Sequence, residues 1–378
     1  MKTDTLLAQA GSRRDAHTGA IAVPIITSAA FQHPALGEST GFDYSRTSNP
    51  TRQAFEQTMA ELDGGAGAAA FASGLAAIDA LMRLFKPGDK LVATEDMYGG
   101  TIRLFEQFGP LLGLEFIFVD SSNAGAVEDA LQTPGVKGLF VEVPTNPLLK
   151  VADLKALGIL AARYQVLFIV DNTFLTPVLC RPLEYGADIS VYSATKYLGG
   201  HHDLIAGVAV ARTKELAERL AFIQNAAGAV PGPFESWLLL RSLKTLALRM
   251  KKHEENALAV ARFLQKRSKV RNLHYPGLPS DPGRQLMSTQ ARGFGGMISF
   301  EVESREKVKD ILAGVKVFLF AESLGGAESL VTFPFEQTHA DLAPVTRAKL
   351  GITDGLLRLS IGLEDAEDLI QDLDAVLG

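Results

Sequence analysis

A chain of 378 residues with 47% hydrophobic content can bury a sizeable core, and its length points to two domains or to one large domain with an appendage. A formal charge of −6 with no basic stripe argues against a nucleic-acid partner. A single cysteine, Cys180, excludes an intramolecular disulfide, and no apolar run approaches the roughly 18 residues a membrane span needs.

Residues 1–15 lack the continuous apolar segment of a signal peptide, which with the lone cysteine reads as a cytoplasmic protein. Residues 1–47 show little periodic hydrophobicity and several turn formers, as in 37–41, so they are expected to form an arm lying along another surface. Residues 51–62 read as a helix closed by Gly64-Gly65, and 68–72 as a short buried strand. Ser73-Gly74-Leu75-Ala76-Ala77 then opens a helix running to about 85. Small residues entering a helix expose N–H groups at its positive end, a seat for one phosphate, although Ser-Gly is also an ordinary N-cap. Neither the dinucleotide glycine spacing nor the P-loop ending is present. Strands at 90–94, 115–119 and 138–143 alternate with helices at 101–112, 124–132 and 153–164. Apolar strands in that order predict an α/β fold with a mostly parallel sheet covered on both faces.

The most informative stretch is 166–200. Five apolar residues end abruptly at Asp171, and a second short strand, 188–192, ends at Ser193-Ala194-Thr195-Lys196. Ligands of open α/β sheets bind outside the carboxyl ends of the strands, which would bring a carboxylate and an amine to one crevice. Pyridoxal phosphate needs that pair: a lysine to hold its aldehyde, and an anion to keep its ring nitrogen protonated. The alternative is a capping aspartate and a surface lysine. His201 and His202, with Asp203 beside them, do not make a metal site, because adjacent residues rarely converge on one ion.

Beyond 228 the pattern changes. Pro231-Gly232-Pro233 breaks the chain, 234–267 reads as one or two long amphipathic helices, and 276–283 is rich in turns. Strands at 297–302, 316–320 and 356–361 interleave with helices in a smaller α+β unit. The expected division is an arm at 1–47, an α/β domain at 48–230 and the smaller domain at 231–378. Arg358, inside an apolar strand, requires either a structural ion pair or a ligand carboxylate.

SATKYLGGH, VDNTF, YSRTSNPTR, FASGLAA, YGGT, PTNPLLK, ESLGGAES and RLSIGLED together resemble the pyridoxal-phosphate enzymes of cysteine and methionine metabolism: the cystathionine γ-lyases, γ-synthases and β-lyases. The resemblance spans nearly the whole chain and implies a fold-type-I transferase that forms a homo-oligomer, a dimer of dimers. It assigns the aldehyde-holding and proton-carrying role to Lys196, the ring nitrogen to Asp171, and ring stacking with proton transfer to Tyr98. Asn146 would bond the phenolic oxygen. Ser73, Gly74, Leu75, Ser193 and Thr195 would seat the phosphate, together with Tyr44 and Arg46 of a neighbouring subunit. Arg358 would bind the substrate α-carboxylate, and Glu322 and Ser323 lie in the loop that lines the substrate pocket. γ-Lyases and γ-synthases share an acidic residue at the Glu322 position, whereas β-lyases and methionine γ-lyases tend towards apolar or aromatic ones. Methionine γ-lyases also tend to have a cysteine where Gly100 stands. A carboxylate at Glu322, assisted by Asp43 of the partner chain, suits the distal ammonium of cystathionine. The expectation is therefore γ-elimination of cystathionine, with closer resemblance at 222–225 and 229–231 favouring a γ-lyase. A γ-synthase, a β-lyase, an aminotransferase and a non-catalytic cofactor-binding protein remain alternatives.

Overall fold

The computed structural model describes residues 1–12, 15 and 17–378. A seven-stranded sheet is built from β1 (Gly67–Phe71), β2 (Lys90–Thr94), β3 (Glu115–Val119), β4 (Val136–Glu142), β5 (Leu167–Asp171), β6 (Ile189–Ser193) and β7 (Gly207–Ala211). The strand order is β1-β7-β6-β5-β4-β2-β3, and only β7 runs against its neighbours. Alternate residues of each strand enter separate apolar clusters, Phe168 and Val170 in one and Ile169 in the other, as expected of a sheet covered on both faces. Parallel pairing from β3 to β6 puts the carboxyl ends of β2, β4, β5 and β6 along one edge. The functional residues of 94–98, 142–146, 171–173 and 193–196 follow those ends.

A second sheet, ordered β10-β11-β12-β9-β8, is built from β8 (Arg271–His274), β9 (Met297–Glu301), β10 (Leu319–Phe320), β11 (Leu330–Thr332) and β12 (Leu356–Ser360). One face, with Ile298, Phe300, Leu357 and Leu359, packs on Val260, Leu264, Leu369 and Leu373 of two helices. The other face sets Arg358, Ser299 and Thr332 among the apolar Met297, Leu330 and Leu356 and meets the first sheet's loops: Arg358 stands opposite Ser299 and Thr332, and Ser299 Oγ donates to the carbonyl of Pro147 at 2.6 Å. Among its described residues the arm carries the short helix Thr3–Ala8 and a bridge between Ala30 and Tyr44. No helix among the described residues is long and apolar enough to cross a membrane.

The sequence reading differs from this architecture in several places. β7, β8 and β11 were not anticipated. The strand expected at 316–320 shrinks to Leu319–Phe320, because the N–H groups of Lys316, Val317 and Phe318 donate to the Asp372 carboxylate instead of a ladder. The helix expected at 101–112 is Gly99–Phe108, followed by a separate 3-10 turn at Pro110–Leu112. The amphipathic run at 234–267 is two helices, Pro233–Leu243 and Leu246–Leu264, parted where Arg249 takes the Ser242 carbonyl.

Candidate active site

The strand ends and the loops of the second sheet enclose a cavity of about 290 Å³. Ser73, Gly74, Leu75, Tyr98, Asn146, Asp171, Ser193, Thr195, Lys196, Glu322, Ser323 and Arg358 all line it. Residues separated by nearly 300 positions thus converge because two sheets present their polar ends to each other.

One wall is the N-terminus of the helix Gly74–Met82. Ser73 Oγ accepts from the N–H of Ala76 and the Ser73 carbonyl takes that of Ala77, leaving the first two helical N–H groups, of Gly74 and Leu75, uncommitted. A Cβ on Gly74 would stand 2.9 Å from Ser193 Cβ, so glycine lets the helix end approach β6. Ser193 supplies a hydroxyl. That of Thr195 is less available: it donates to the Ala206 carbonyl at 3.1 Å and accepts from the Ala206 N–H at 3.0 Å.

Opposite, Asp171 ends β5. Its Oδ1 accepts from the N–H and the hydroxyl of Thr173, at 3.0 and 2.6 Å, and neither bond uses Oδ2. Burial lifts this carboxyl to about 6 against those two bonds. A buried carboxylate with a free oxygen favours a cationic N–H donor facing it. Lys196, at the turn after β6, has its amine lowered to about 8, first by burial and then by the Arg358 charge, while Glu322 opposes the shift. Its Nζ donates to Ser323 Oγ at 2.9 Å.

Arg358 is buried. Its Nη1 donates to Asn146 Oδ1 at 2.8 Å, and its Nη2 donates to the Ser323 carbonyl at 3.1 Å and to Thr332 Oγ1 at 3.3 Å. Among the described residues no carboxylate is bonded to it, so a structural ion pair does not account for its burial, and its Nε has no partner there. Burial lowers its pKa to about 10, which leaves it cationic at neutral pH. Tyr98, 40% exposed, precedes the helix Gly99–Phe108, and Gly100 makes room for its ring: a Cβ there would stand 2.5 Å from Tyr98 Cε1.

Three expected site residues lie outside the cavity. Asp43 pairs with Ser39 and His33, and Arg46 sits over the ring of Tyr44 while its Nε donates to Asn225 Oδ1 at 3.3 Å. Within one chain the arm therefore leaves this cavity's own wall to others. Sequence reasoning also missed cavity-lining residues: Thr173, which sets the Asp171 carboxylate, and Glu142, paired in register with Asp171 across β4 and β5. An acidic residue closing an apolar strand was the available signal for Glu142, the same one that drew attention to Asp171.

These residues fit pyridoxal phosphate. Two free helix N–H groups and the Ser193 hydroxyl suit a phosphate, the open oxygen of Asp171 suits a protonated ring nitrogen, and an amine of lowered pKa suits an aldehyde. A family model described as Cys/Met metabolism PLP-dependent enzyme matches residues 4–378. A cystathionine γ-lyase of Bacillus subtilis (strain 168) is 49% identical over 377 residues, covering 100% of this chain and 99% of that protein. A cystathionine β-lyase of Coxiella burnetii is 46% identical, covering 99% and 97%. The solved cystathionine γ-synthase of Xanthomonas oryzae pv. oryzae superposes with a TM-score of 0.98 at 41% identity, covering 100% of this chain and 98% of that one.

Proposed function

Because the chain belongs to the pyridoxal-phosphate-dependent enzymes of cysteine and methionine metabolism, we propose that it catalyses the γ-elimination of cystathionine to cysteine, 2-oxobutanoate and ammonia. It is an enzyme of the carbon–sulfur lyase group and uses pyridoxal phosphate. Relatives named for γ-lyase, γ-synthase and β-lyase activity stand at similar identity, so the choice among them rests on the site.

The observation that supports this reading is a cavity lined by both a cation, Arg358, and an anion, Glu322, with Lys196 near enough to feel both. Cystathionine has two amino-acid ends. Arg358 holds the α-carboxylate of the reacting end with its uncommitted hydrogens, a task its planar fork suits. Glu322 receives the ammonium of the distal end. Such a partly exposed pair is worth about 1 kcal/mol, roughly a five- to tenfold preference and no more.

Bound pyridoxal phosphate supplies an electron sink that acidifies the substrate carbons next to it. Ser73, Gly74, Leu75 and Ser193 would hold its phosphate, with Thr195 lining the same wall through a hydroxyl bonded to Ala206; Asp171 would keep its ring nitrogen protonated, and Asn146 would bond its phenolic oxygen. Lys196 Nζ takes a proton from Cα and then one from Cβ, with Ser323 Oγ orienting the Lys196 amine between transfers. As the Cγ–S bond breaks, one proton goes to the leaving sulfur and one to Cγ, and water hydrolyses the released unsaturated amine to 2-oxobutanoate and ammonia. Tyr98 Oη moves the proton at the substrate amine and at the leaving sulfur. Buried apolar neighbours such as Val191 and Leu324 keep water from these groups.

Glu322→Val tests the reading of the distal end. It should lower kcat/KM for cystathionine five- to tenfold more than for methionine or homocysteine, which lack a distal amine. Equal losses on all three substrates would remove the support for cystathionine.

A further inference from the structure

The peptide bond between Met97 and Tyr98 is gripped at both ends by side chains without an assigned part. Its carbonyl, Met97 O, accepts from His339 Nε2 at 3.1 Å, and the same imidazole nitrogen reaches the carbonyl of Asn146 at 3.2 Å. Its N–H, on Tyr98, donates to Glu142 Oε2 at 3.1 Å. His339 arrives from the C-terminal unit and Glu142 from the end of β4, and both are almost fully buried, at 1% and 6% exposure. We propose that His339 and Glu142 are positioning residues that fix the Tyr98 ring, and His339 also Asn146, for the cofactor.

The chemistry of the clamp follows from its partners. Two carbonyls only accept, so His339 Nε2 carries the hydrogen and shares it between them, while Nδ1 meets the Thr338 hydroxyl at 2.8 Å. Burial lowers this imidazole to about 4, so it stays neutral across the physiological range. Burial and the nearby Asp171 charge push the Glu142 carboxyl well up. Space is arranged to match. The Thr338 carbonyl presses where a side chain on Gly99 would stand, so the 338–339 loop lies directly against the residue after Tyr98. Asn146 is gripped twice from the C-terminal unit, at its carbonyl by His339 and at Oδ1 by Arg358.

This proposal rests on the reading that Tyr98 and Asn146 face the cofactor. The test is a double-mutant cycle in the full-length protein, read as the dissociation constant for pyridoxal phosphate and as kcat and KM on the amino-acid substrate. His339→Gln keeps an N–H donor near Nε2 and Glu142→Gln keeps an acceptor, so both should bind the cofactor within about twofold of wild type. His339→Phe and Glu142→Val should each weaken it about fivefold to tenfold, the size of one or two lost hydrogen bonds. The deciding variant is Tyr98→Ala, which removes the ring and keeps the clamped peptide. If the clamp acts through the ring, adding Glu142→Val, which removes the bond to the Tyr98 N–H, to Tyr98→Ala costs little further cofactor affinity. Fully additive losses, or a Gln variant as poor as the Phe or Val variant, would overturn the proposal and leave both residues with a role in folding alone. If Tyr98→Ala binds the cofactor like wild type, the ring does not face it, and the site reading falls together with the positioning built on it.

Discussion

Lys196 Nζ donates to Ser323 Oγ at 2.9 Å, joining the turn after β6 to a loop of the C-terminal unit. Ser323 has φ = 125°, a region that favours glycine, and its carbonyl is held there by Arg358. The amine that forms the centre of the site is thus oriented by a strained serine, which is held in turn by the arginine proposed to bind substrate.

That arrangement makes the Lys196 pKa a readout of its neighbours. In the protein without cofactor the amine should titrate near 8, against the usual 10.5. Arg358→Gln removes a neighbouring cation and should raise the midpoint; Glu322→Gln removes an anion and should lower it. Both follow from the pH dependence of aldehyde capture at Lys196. A wild-type midpoint near 10.5, or shifts of the opposite sign, would contradict the electrostatics described for the cavity.

Asp171 gives a stability prediction with a definite sign. Its carboxyl is raised from 3.8 to about 6 in the folded chain, so the folded state binds the proton more tightly than the unfolded one. The associated stability is fully present below pH 3.8 and is lost as the pH rises through 6, by roughly 2–3 kcal/mol. Without cofactor, Asp171→Asn should therefore melt higher than wild type at pH 8, lose that advantage at pH 4, and bind pyridoxal phosphate much more weakly. A variant less stable than wild type at pH 8 would show that burial of this charge carries no such penalty.

Much of this was legible beforehand. Asp171 and Lys196 stood out because short apolar strands end at them, and a parallel sheet aligns such ends. β7 was missed because its Gly207–Ala211 run is brief and made of small residues, and Gly207 is there for close approach: a Cβ would meet the backbone of Ser73 at 2.7 Å. His339 and Glu142 were illegible for a different reason. They act on the backbone of Met97 and Tyr98, and no side-chain pattern records which carbonyl a distant imidazole will reach. Thr195 was legible as a site residue, whereas the bonds of its hydroxyl to the Ala206 backbone were not.

The arm predicts a shared site. Tyr44 and Arg46 stand outside their own chain's cavity, Tyr44 being 47% exposed; we propose that they reach the phosphate of a neighbouring subunit. Mixing Arg46→Ala chains with Lys196→Ala chains should form hybrid dimers with one intact site and restore part of the activity. No recovery, with hybrids demonstrated by mass, would mean that the arm does not complete a partner's site.

Cleavage at the γ-carbon of cystathionine decides which keto acid the purified protein releases. Incubation with cystathionine followed by mass identification should give 2-oxobutanoate together with cysteine. Pyruvate with homocysteine would contradict γ-cleavage in favour of β-cleavage, and no keto acid at all would contradict it in favour of a synthase that needs an activated homoserine ester.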